Sequence, residues 1–228
     1  MRAPISVVIP TLNAAHDLPG CTVALFEGLE AGLIRELIIS DGGSADDIAA
    51  LAAELGATLV VGPAGRGGQL ARGAGAASGD WLLFLHADTV LADGWTRAVL
   101  THLLTQPEKA GYFRLAFRAN GLAPAVVAGW ANFRARAFGL PYGDQGLLIP
   151  RGLYRASGGF RDISLMEDVA IARQLRGYLC ALPAVAQTSA ARYQQQGWLR
   201  RGARNLWALA LYFAGVSPER LAREYQRK

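Results

Sequence analysis

A carboxylate follows an uninterrupted apolar segment in the first half of the chain. Residues 81–85 are apolar and of strand length, and they are followed by His86 and then Asp88. Such a run predicts a strand that is buried on both faces. An acid at the carboxyl end of this kind of strand lies where open α/β sheets bind their ligands. Asp also opens turns and caps helices, so this segment alone favours neither a site nor a turn.

Polar residues follow four successive predicted strands. They are the segment 10–13 (Pro-Thr-Leu-Asn), Asp41, Arg66 and Asp88. In a parallel sheet the carboxyl ends of the strands lie at one edge, so the four positions favour a common binding site over four unrelated turns. There Asp41 could accept a hydrogen bond from the imide of a pyrimidine base. Asp88 could hold a divalent cation that bridges two phosphates, because Mg²⁺ typically takes one or two protein carboxylates.

The glycine-rich segment around Arg66 matches neither common nucleotide fingerprint. A dinucleotide fingerprint that starts at Gly65 needs glycine at the position of Leu70, and a P-loop needs Gly-Lys-Ser/Thr where the chain has Gly67-Gly68-Gln69. Both a nicotinamide cofactor and an ATPase are therefore excluded. The backbone N–H groups of this turn and the Arg66 guanidinium would still suit a diphosphate.

The elements that must position these residues alternate between strand and helix. Strands are predicted at 5–9, 36–40, 58–61 and 81–85, and helices at 14–31, in the stretch ending near residue 55, and at 66–77. This alternation predicts βαβ units and a mostly parallel sheet. Beyond residue 105 the patterns predict a strand at 110–117, an apolar segment at 122–138, a loop into a strand at 142–150, helices at 166–176 and 199–216, and a last helix capped by Ser217.

Three of these segments, 5–13, 36–44 and 79–89, together resemble the family 2 glycosyltransferases. Their order and spacing match the family across residues 5–177, about three quarters of the chain. The resemblance implies a GT-A fold, here an α/β domain with a mostly parallel twisted sheet, flanking helices and a C-terminal helical extension. It also implies a nucleoside-diphosphate-sugar donor of the UDP type and a divalent cation, Mn²⁺ or Mg²⁺. The donor-binding residues are then predicted to be Pro10, Thr11, Asn13, Asp41, Arg66, Gln69, His86 and Asp88.

Three positions depart from the family pattern, one of them Ala71, where the family has Asn in the helix after the Gly-rich turn. The second acid that often follows the second strand is Gly42 here, and the first acid of the metal motif is His86. Because Mn²⁺ and Mg²⁺ prefer oxygen ligands, His86 is predicted to contact donor phosphate or sugar, which leaves Asp88 as the metal ligand. The tetrapeptides at 41–44, 86–89 and 142–145 are most similar to a small bacterial subgroup labelled for arsenosugar biosynthesis, which is a hint about the acceptor and no more.

An acidic pair, Glu167 and Asp168, follows the Gly-rich segment 157–160. Adjacent acids at a helix start often only complement the helix dipole. In the family, however, the second acid is the catalytic base of an inverting transfer, so the resemblance implies that Asp168 takes the proton of the acceptor hydroxyl and that Glu167 supports it or binds acceptor. The reverse assignment is equally compatible with the sequence. Asp144 and Gln145 are predicted to bind acceptor, or else to form a hydrogen-bonded loop before a strand.

Two other functions are compatible with this kind of sheet. A sugar nucleotidyltransferase would show a Gly-rich loop with Lys or Arg directly after the first strand, where this chain has Pro10-Thr11-Leu12-Asn13. The intact acids Asp41, Asp88 and Asp168 argue against a non-catalytic nucleotide-sugar-binding protein. We therefore expect an enzyme whose partners are the sugar donor and a small-molecule or lipid acceptor.

Positive charge is concentrated in the last part of the chain. Residues 192–228 carry eight Arg or Lys against Glu219 and Glu224, a net charge of +6, whereas the whole chain carries +5, so residues 1–191 carry −1. We predict a GT-A-like domain at 1–191 and a basic, partly amphipathic helical extension of it at 192–228. A charge confined to this extension argues against nucleic acid and favours an anionic phospholipid surface. Alternatively, its apolar face packs on its own domain or forms a homodimer contact.

The remaining composition is that of a globular chain. With 228 residues, 52% of them hydrophobic, it is predicted to form one well-packed domain, and no apolar run approaches the roughly 20 residues of a spanning helix. Cys21 and Cys180 are too far apart in sequence for a metal-type spacing, which favours a reduced, cytoplasmic setting. The basic extension would then place the protein at the inner face of a membrane.

Overall fold

Eight strands form one sheet in the computed structural model, which describes residues 3–226. The strands are β1 (Ile5–Thr11), β2 (Ile34–Asp41), β3 (Thr58–Val61), β4 (Trp81–Phe84), β5 (Val90–Leu91), β6 (Ala110–Phe117), β7 (Leu147–Pro150) and β8 (Leu179–Thr188). Their order across the sheet is β3-β2-β1-β4-β7-β6-β8-β5. Arg2, Arg227 and Lys228, which belong to the predicted segments, lie outside the described residues.

Residues 3–226 also form ten helices. They are α1 (Leu18–Glu30), α2 (Ile48–Glu54), α3 (Arg66–Ala76), α4 (Trp95–Thr105), α5 (Leu122–Phe138), α6 (Arg151–Ala156), α7 (Glu167–Gln174), α8 (Ala191–Gln196), α9 (Trp198–Phe213) and α10 (Pro218–Gln226), and a 3₁₀ turn spans Gly143–Gln145. Within the described part of the chain, none of these helices has the length and apolar character that a membrane span requires.

The first half of the sheet is parallel, as the sequence predicted. β2 pairs with β1 and β3, and β1 pairs with β4, all in parallel. In this register Thr11 lies opposite Asp41, so the polar ends of β1 and β2 lie side by side. The second half is mixed, because β7 runs antiparallel to both β4 and β6, whereas β6 and β8 are parallel. The predicted α/β class with a mostly parallel sheet is confirmed.

The strands β1 and β4 are buried on both faces because their side chains alternate between two cores. Ile5, Val7 and Ile9 belong to the core beneath α1, α2 and α4, whereas Val8 belongs to the core beneath α3, α6 and α7. The odd-numbered and even-numbered residues of β4 divide in the same way. A period of two places successive side chains on opposite faces, so continuous apolar runs are what a sheet covered by helices on both faces requires.

Strand β8 and helix α4 are absent from the sequence-based prediction. β8 contains Pro183, and proline within a run argues against a central strand. The structure accommodates it in an irregularity of the β6–β8 pairing: Tyr112 lies opposite Ala181, but Arg114 lies opposite Val185. The proline therefore occupies extra length in β8, where no regular ladder is formed.

The glycines of α3 allow this helix to lie unusually close to the segment that precedes α7. A Cβ atom on Gly67 would overlap the carbonyl oxygen of Arg161, and a Cβ on Gly68 would lie 2.7 Å from Asp162 Oδ1. Both glycines are buried. These two glycines therefore serve helix packing. Binding of a diphosphate by the N–H groups of this turn stays a prediction.

We expect Gly67→Ala to lower the free energy of unfolding by roughly 1–3 kcal/mol, because the added methyl group meets backbone that cannot rotate away. Gly75→Ala is the matched control in the same helix, since nothing lies within 4 Å of a Cβ there. It should raise stability by about 0.5–1 kcal/mol through helix propensity. Urea denaturation of both variants is the measurement, and equal stability of Gly67→Ala and the wild type would contradict the packing argument.

Candidate active site

A cavity of about 170 Å³ lies beyond the carboxyl end of β4. Six of the predicted site residues line it: Arg66, His86, Asp88, Asp144, Glu167 and Asp168. They come from the start of α3, the loop after β4, the 3₁₀ turn and the start of α7. Acids and cations separated by as much as 102 positions in sequence are thus brought to one site.

The acidic pair begins α7 from a strained backbone. Met166, the residue before the helix, has a left-handed conformation with φ of 68°, which is uncommon for a residue with a side chain. Asp168 Oδ1 accepts a hydrogen bond from the Val169 N–H at 2.7 Å, and its Oδ2 accepts one from the Gly143 N–H at 3.0 Å. These two donors hold the Asp168 carboxylate at the cavity in one orientation.

Glu167 differs from its neighbour in being buried, with 3% of its surface exposed. Its Oε1 lies 3.4 Å from Arg66 Nη1, and the Arg66 side chain is 45% exposed. Burial raises the pKa of Glu167, and the adjacent Asp168 raises it further, whereas Arg66 lowers it. The pair therefore consists of one held carboxylate at the cavity and one buried carboxyl group that is salt-bridged to a cation.

The two residues predicted to bind acceptor, Asp144 and Gln145, are adjacent in the 3₁₀ turn but have different surroundings. Asp144 lines the cavity, whereas Gln145 is fully buried and does not. The Gln145 side-chain amide donates to the Phe113 carbonyl at 3.1 Å, and its oxygen accepts from the Tyr142 N–H at 3.3 Å. The prediction of acceptor binding is corrected for Gln145, because its polar atoms are engaged in anchoring the turn to β6.

The surroundings of Asp144 disfavour the charged form of its carboxyl group. Burial raises its pKa to about 6, Asp168 and Asp88 raise it as well, and Arg134 and Arg66 oppose the shift. Its Oδ1 is buried and has no hydrogen-bond partner among the residues the structure describes. A buried acceptor without a donor is costly, so this atom suits a ligand that brings a hydroxyl group.

His86 and Asp88 line the cavity from the loop after β4. Burial lowers the pKa of His86 well below its usual value, and Arg66 and Arg192 lower it further, so the imidazole is neutral at pH 7. Burial raises the pKa of Asp88, whereas Arg192 opposes that shift. The His86 ring occupies the space beside Gly143, where a Cβ atom would lie 2.5 Å from Nε2. Glycine at 143 is therefore needed for His86 to reach the cavity wall.

The other predicted donor residues lie outside the cavity, at the ends of β1 and β2. The Asp41 carboxylate is 3% exposed and accepts four hydrogen bonds, from the Thr11 and Ser44 hydroxyls and from the N–H groups of Gly43 and Ser44. A carboxylate has about four lone-pair sites, so Asp41 orders the 41–44 loop. This loop is joined to β1 by Asn13, whose Oδ1 accepts from the Ala45 N–H at 2.9 Å.

Gln69 and Pro10 support the same edge. The Gln69 amide donates to the carbonyls of Thr11 at 2.6 Å and Ser40 at 2.9 Å, and its oxygen accepts from the Gly65 N–H at 3.2 Å. This buried side chain therefore ties the ends of β1 and β2 to the start of α3. Pro10 is half-buried within β1, where it pairs with Ser40. Neither residue lines the cavity.

The C-terminal helices supply cavity residues that the sequence did not identify. Arg192 and Tyr193 of α8 and Arg201 and Asn205 of α9 line it. From the sequence, these arginines were predicted to belong to a basic surface. Local patterns do not show which face of a helix covers a site. Together with Arg66, they give the cavity three cations beside its four acids. Residues on both sides of the predicted division at 191 and 192 thus form one site.

Among the described residues, no three His, Cys, Asp or Glu side chains converge into a preformed metal site. Asp88, the predicted metal ligand, lines the cavity beside His86. This single carboxylate fits a cation whose remaining ligands are diphosphate oxygens and water, since Mg²⁺ is usually bound in that way. The neutral His86 beside it is a donor for which Mn²⁺ and Mg²⁺ have less preference.

Comparison with known proteins places this geometry in context. The model of the Glycosyl transferase family 2 matches residues 6–138, more than half of the chain. Two relatives described as PGL/p-HBAD biosynthesis glycosyltransferases, from Mycobacterium bovis and Mycobacterium tuberculosis, are 37% identical over 116 residues. These residues are 47% of this chain and 44% of each relative, so the chain spans less than half the length of the curated relatives it matches.

Solved structures share the fold. Glucosyl-3-phosphoglycerate synthase from M. tuberculosis, crystallised with Mn²⁺, UDP and glucosyl-3-phosphoglycerate, aligns with a TM-score of 0.56 and 23% identity over 82% of this chain and 70% of that chain. S. aureus TarS in complex with UDP-GlcNAc aligns with a TM-score of 0.59 and 12% identity over 81% and 58% of the two chains. The expected GT-A fold is confirmed.

We expect Asp144→Asn to stabilise the protein above pH 6. A carboxyl group whose pKa rises on folding from 3.8 to about 6 stabilises the folded state at low pH and loses that contribution as pH rises through this interval. The variant and the wild type should therefore unfold alike near pH 3.5 and differ by roughly 1–3 kcal/mol at pH 8. Asp93→Asn, at an exposed position, is the control and should show no such divergence. A wild type as stable as the variant at pH 8 would contradict this assignment.

Proposed function

Because the chain belongs to glycosyltransferase family 2, we propose that this glycosyltransferase moves a sugar from a UDP-linked donor to an acceptor hydroxyl in the cavity, with inversion. The observation that carries the proposal is the position of the Asp168 carboxylate. It is held by two backbone N–H groups at a cavity that also contains Asp88 and three arginines. An acid facing a cationic site is what attack by a hydroxyl and departure of a diphosphate require.

The donor is proposed to bind along the carboxyl edge of the parallel strands. A cavity of about 170 Å³ is smaller than the roughly 300–1,000 Å³ of sites that enclose a whole small-molecule ligand. It therefore suits the sugar and the reacting hydroxyl, with the nucleoside outside it. The base would bind against the 41–44 loop, which Asp41 and Thr11 order, and Arg66 and Arg192 would face the diphosphate.

Asp88 would hold the divalent cation beside the diphosphate. The M. tuberculosis synthase has been crystallised with UDP and Mn²⁺ and with UDP and Mg²⁺, which supports a divalent cation at the donor site of this chain. A bound cation supplies positive charge to the leaving diphosphate. The protein's own contribution to that charge is the guanidinium groups of Arg66 and Arg192.

In the proposed reaction the acceptor oxygen attacks the anomeric carbon while the bond from that carbon to the diphosphate oxygen breaks. The diphosphate leaves with the electron pair, and Asp168 takes the proton of the acceptor hydroxyl. Attack from the side opposite the leaving group inverts the anomeric centre. Asp144, with its unpaired Oδ1, would accept a hydrogen bond from the acceptor, and Glu167 would keep Arg66 in place through their ion pair.

We expect Asp168→Asn to lower the transfer rate by roughly 10²–10⁴-fold, because the amide cannot take a proton, while UDP affinity is unchanged. Asp93→Asn, at an exposed position that does not line the cavity, should keep full activity. The assay is release of free UDP from a panel of UDP-sugars with candidate acceptors, together with UDP titration by calorimetry.

Normal turnover by Asp168→Asn with an inactive Glu167→Gln would reverse the two roles. Release of pyrophosphate when the protein is given UTP and a sugar 1-phosphate would show a nucleotidyltransferase, and binding of a UDP-sugar without turnover by the wild type would show a non-catalytic binding protein.

We expect Asp88→Ala to abolish the dependence of UDP binding on Mn²⁺ or Mg²⁺. The variant should bind UDP equally with and without the cation, at the weaker affinity that the wild type shows in the presence of a chelator. The measurement is calorimetric titration with and without metal, and Asp80→Ala, at an exposed position before β4, is the control. Retained metal enhancement in Asp88→Ala would remove this residue from the cation site.

A further inference from the structure

Helix α5 carries its large apolar side chains on the outside. Leu122, Val126, Trp130 and Phe133 are 44–86% exposed, and their spacing places them along one stripe. The residues that α5 buries are mostly small: Ala128, Ala131 and Ala135, with Pro124 and Arg134. A surface helix normally shows the opposite distribution. An exposed stripe of large apolar residues indicates an interaction surface.

Helix α9 carries a second stripe of the same kind. Leu199, Leu206, Trp207 and Phe213 are 43–88% exposed, again at spacings that share one helix face. Its opposite side packs on the domain, where Ala208 is buried in a third core with Met166 and Leu221. Helix α9 thus packs on its own domain through one face, which is one of the two predicted alternatives, and leaves its other face exposed.

The two stripes border one groove of about 830 Å³ between α5, α7 and α9. Trp130 and Phe138 line it from α5, and Leu209 and Phe213 line it from α9. The aromatic rings on α5 are continuous, since the centroids of Trp130 and Phe133 are 5.7 Å apart and those of Phe133 and Phe138 are 5.9 Å apart. The stripes and the groove together form one surface, the α5–α9 surface.

The charge around this surface has one sign. Residues 109–143 contain five Lys or Arg and no acid, and residues 169–218 contain six Arg and no acid. Arg136 of α5 is exposed, as are Arg173 and Arg176, which line the groove. The Arg173 guanidinium lies 5.4 Å from the centroid of the Phe213 ring. Glu219 and Glu224 follow on α10, where Glu224 pairs with Arg220 at 3.4 Å.

We propose that the α5–α9 surface docks on an anionic phospholipid bilayer. Trp, Phe and Leu side chains would enter the interfacial region, and the arginines would contact lipid phosphates. A second copy of the chain fits less well. A symmetric dimer places the same surface against itself, so exposed arginines would face arginines without acids to pair with them. A bilayer supplies both the apolar phase and the negative charge that this surface lacks.

The surface adjoins the cavity through shared elements. α7 begins with Glu167 and Asp168 at the cavity, and Ala172 and Arg173 farther along it line the groove. Arg134 lines the groove, and its guanidinium lies 3.2 Å from the centroid of the Tyr142 ring, which lines the cavity. Docking would therefore bring the cavity close to the bilayer. The proposal does not depend on sugar transfer, because lipid binding is measured separately from turnover.

Co-sedimentation of the full chain with vesicles tests the proposal. Vesicles of phosphatidylcholine with one quarter phosphatidylglycerol should bind the wild type at low salt. Pure phosphatidylcholine should bind it less. Binding should also weaken at about 1 M salt, where the screening length is roughly 3 Å.

The double variant Val126→Ser, Phe133→Ser should bind at least about tenfold more weakly, given the apolar area lost. Leu29→Ser, Leu104→Ser, also at exposed positions but on α1 and α4, is the matched control and should bind like the wild type.

The charge contribution is tested separately. Arg173→Gln and Arg176→Gln should each weaken vesicle binding about fivefold, whereas Arg97→Gln on α4 should not. Circular dichroism and thermal unfolding establish that each variant is folded. Absence of wild-type binding to the anionic vesicles would overturn the proposal, as would equal losses in the Leu29→Ser, Leu104→Ser control. A wild-type dimer in analytical ultracentrifugation that Val126→Ser, Phe133→Ser converts to monomer, without vesicle binding by either, would assign the surface to self-association instead.

Discussion

The hydrogen bond from the Gly143 N–H to Asp168 Oδ2, 3.0 Å long, joins the two halves of the site. On one side it depends on α7, which starts from the left-handed Met166. On the other it depends on the 3₁₀ turn, which the buried amide of Gln145 anchors to β6. Because Gly143 lacks a Cβ atom, the His86 ring can also pack against this turn. Gly143 thus contacts both Asp168 of the acidic pair and His86 of the loop after β4.

The electrostatics of the cavity oppose the stability of the folded chain. Burial raises the pKa of Asp88, Asp144 and Glu167, so holding these groups as carboxylates at neutral pH destabilises the protein. Arg66, Arg134 and Arg192 offset part of that cost, and Glu167 forms an ion pair with Arg66. Perturbed carboxyl groups that gather at one cavity are typical of functional sites, where charge is arranged for a ligand and not for the fold.

Local sequence was sufficient to predict an element wherever a hydrophobic pattern is repeated along one segment. The alternation of strands and helices over the first 90 residues predicted the parallel half of the sheet. Asp88 and Arg66 were then placed at one edge, because the carboxyl ends of parallel strands coincide. The pair Glu167 and Asp168 was identified as a helix start, which the structure confirms, and its catalytic role stays a prediction. Strand β8 was not predicted because Pro183 argues against a strand. The proline is accommodated in an irregularity of the pairing with β6, which lies some 70 residues away in sequence.

Amino-acid sequence by itself determined the fold class, the acids at the strand ends and the presence of a basic C-terminal part. Tertiary structure alone decided that Gln145 and Gln69 are buried anchors, that Gly67 and Gly68 serve packing, and that Arg192 and Arg201 face the cavity while large apolar residues of α5 face outward. The physical reason is that residue type and periodicity report which side chains share a face. Which face is covered depends on contacts between segments far apart in the chain, and these form only when the sheet and its helices assemble.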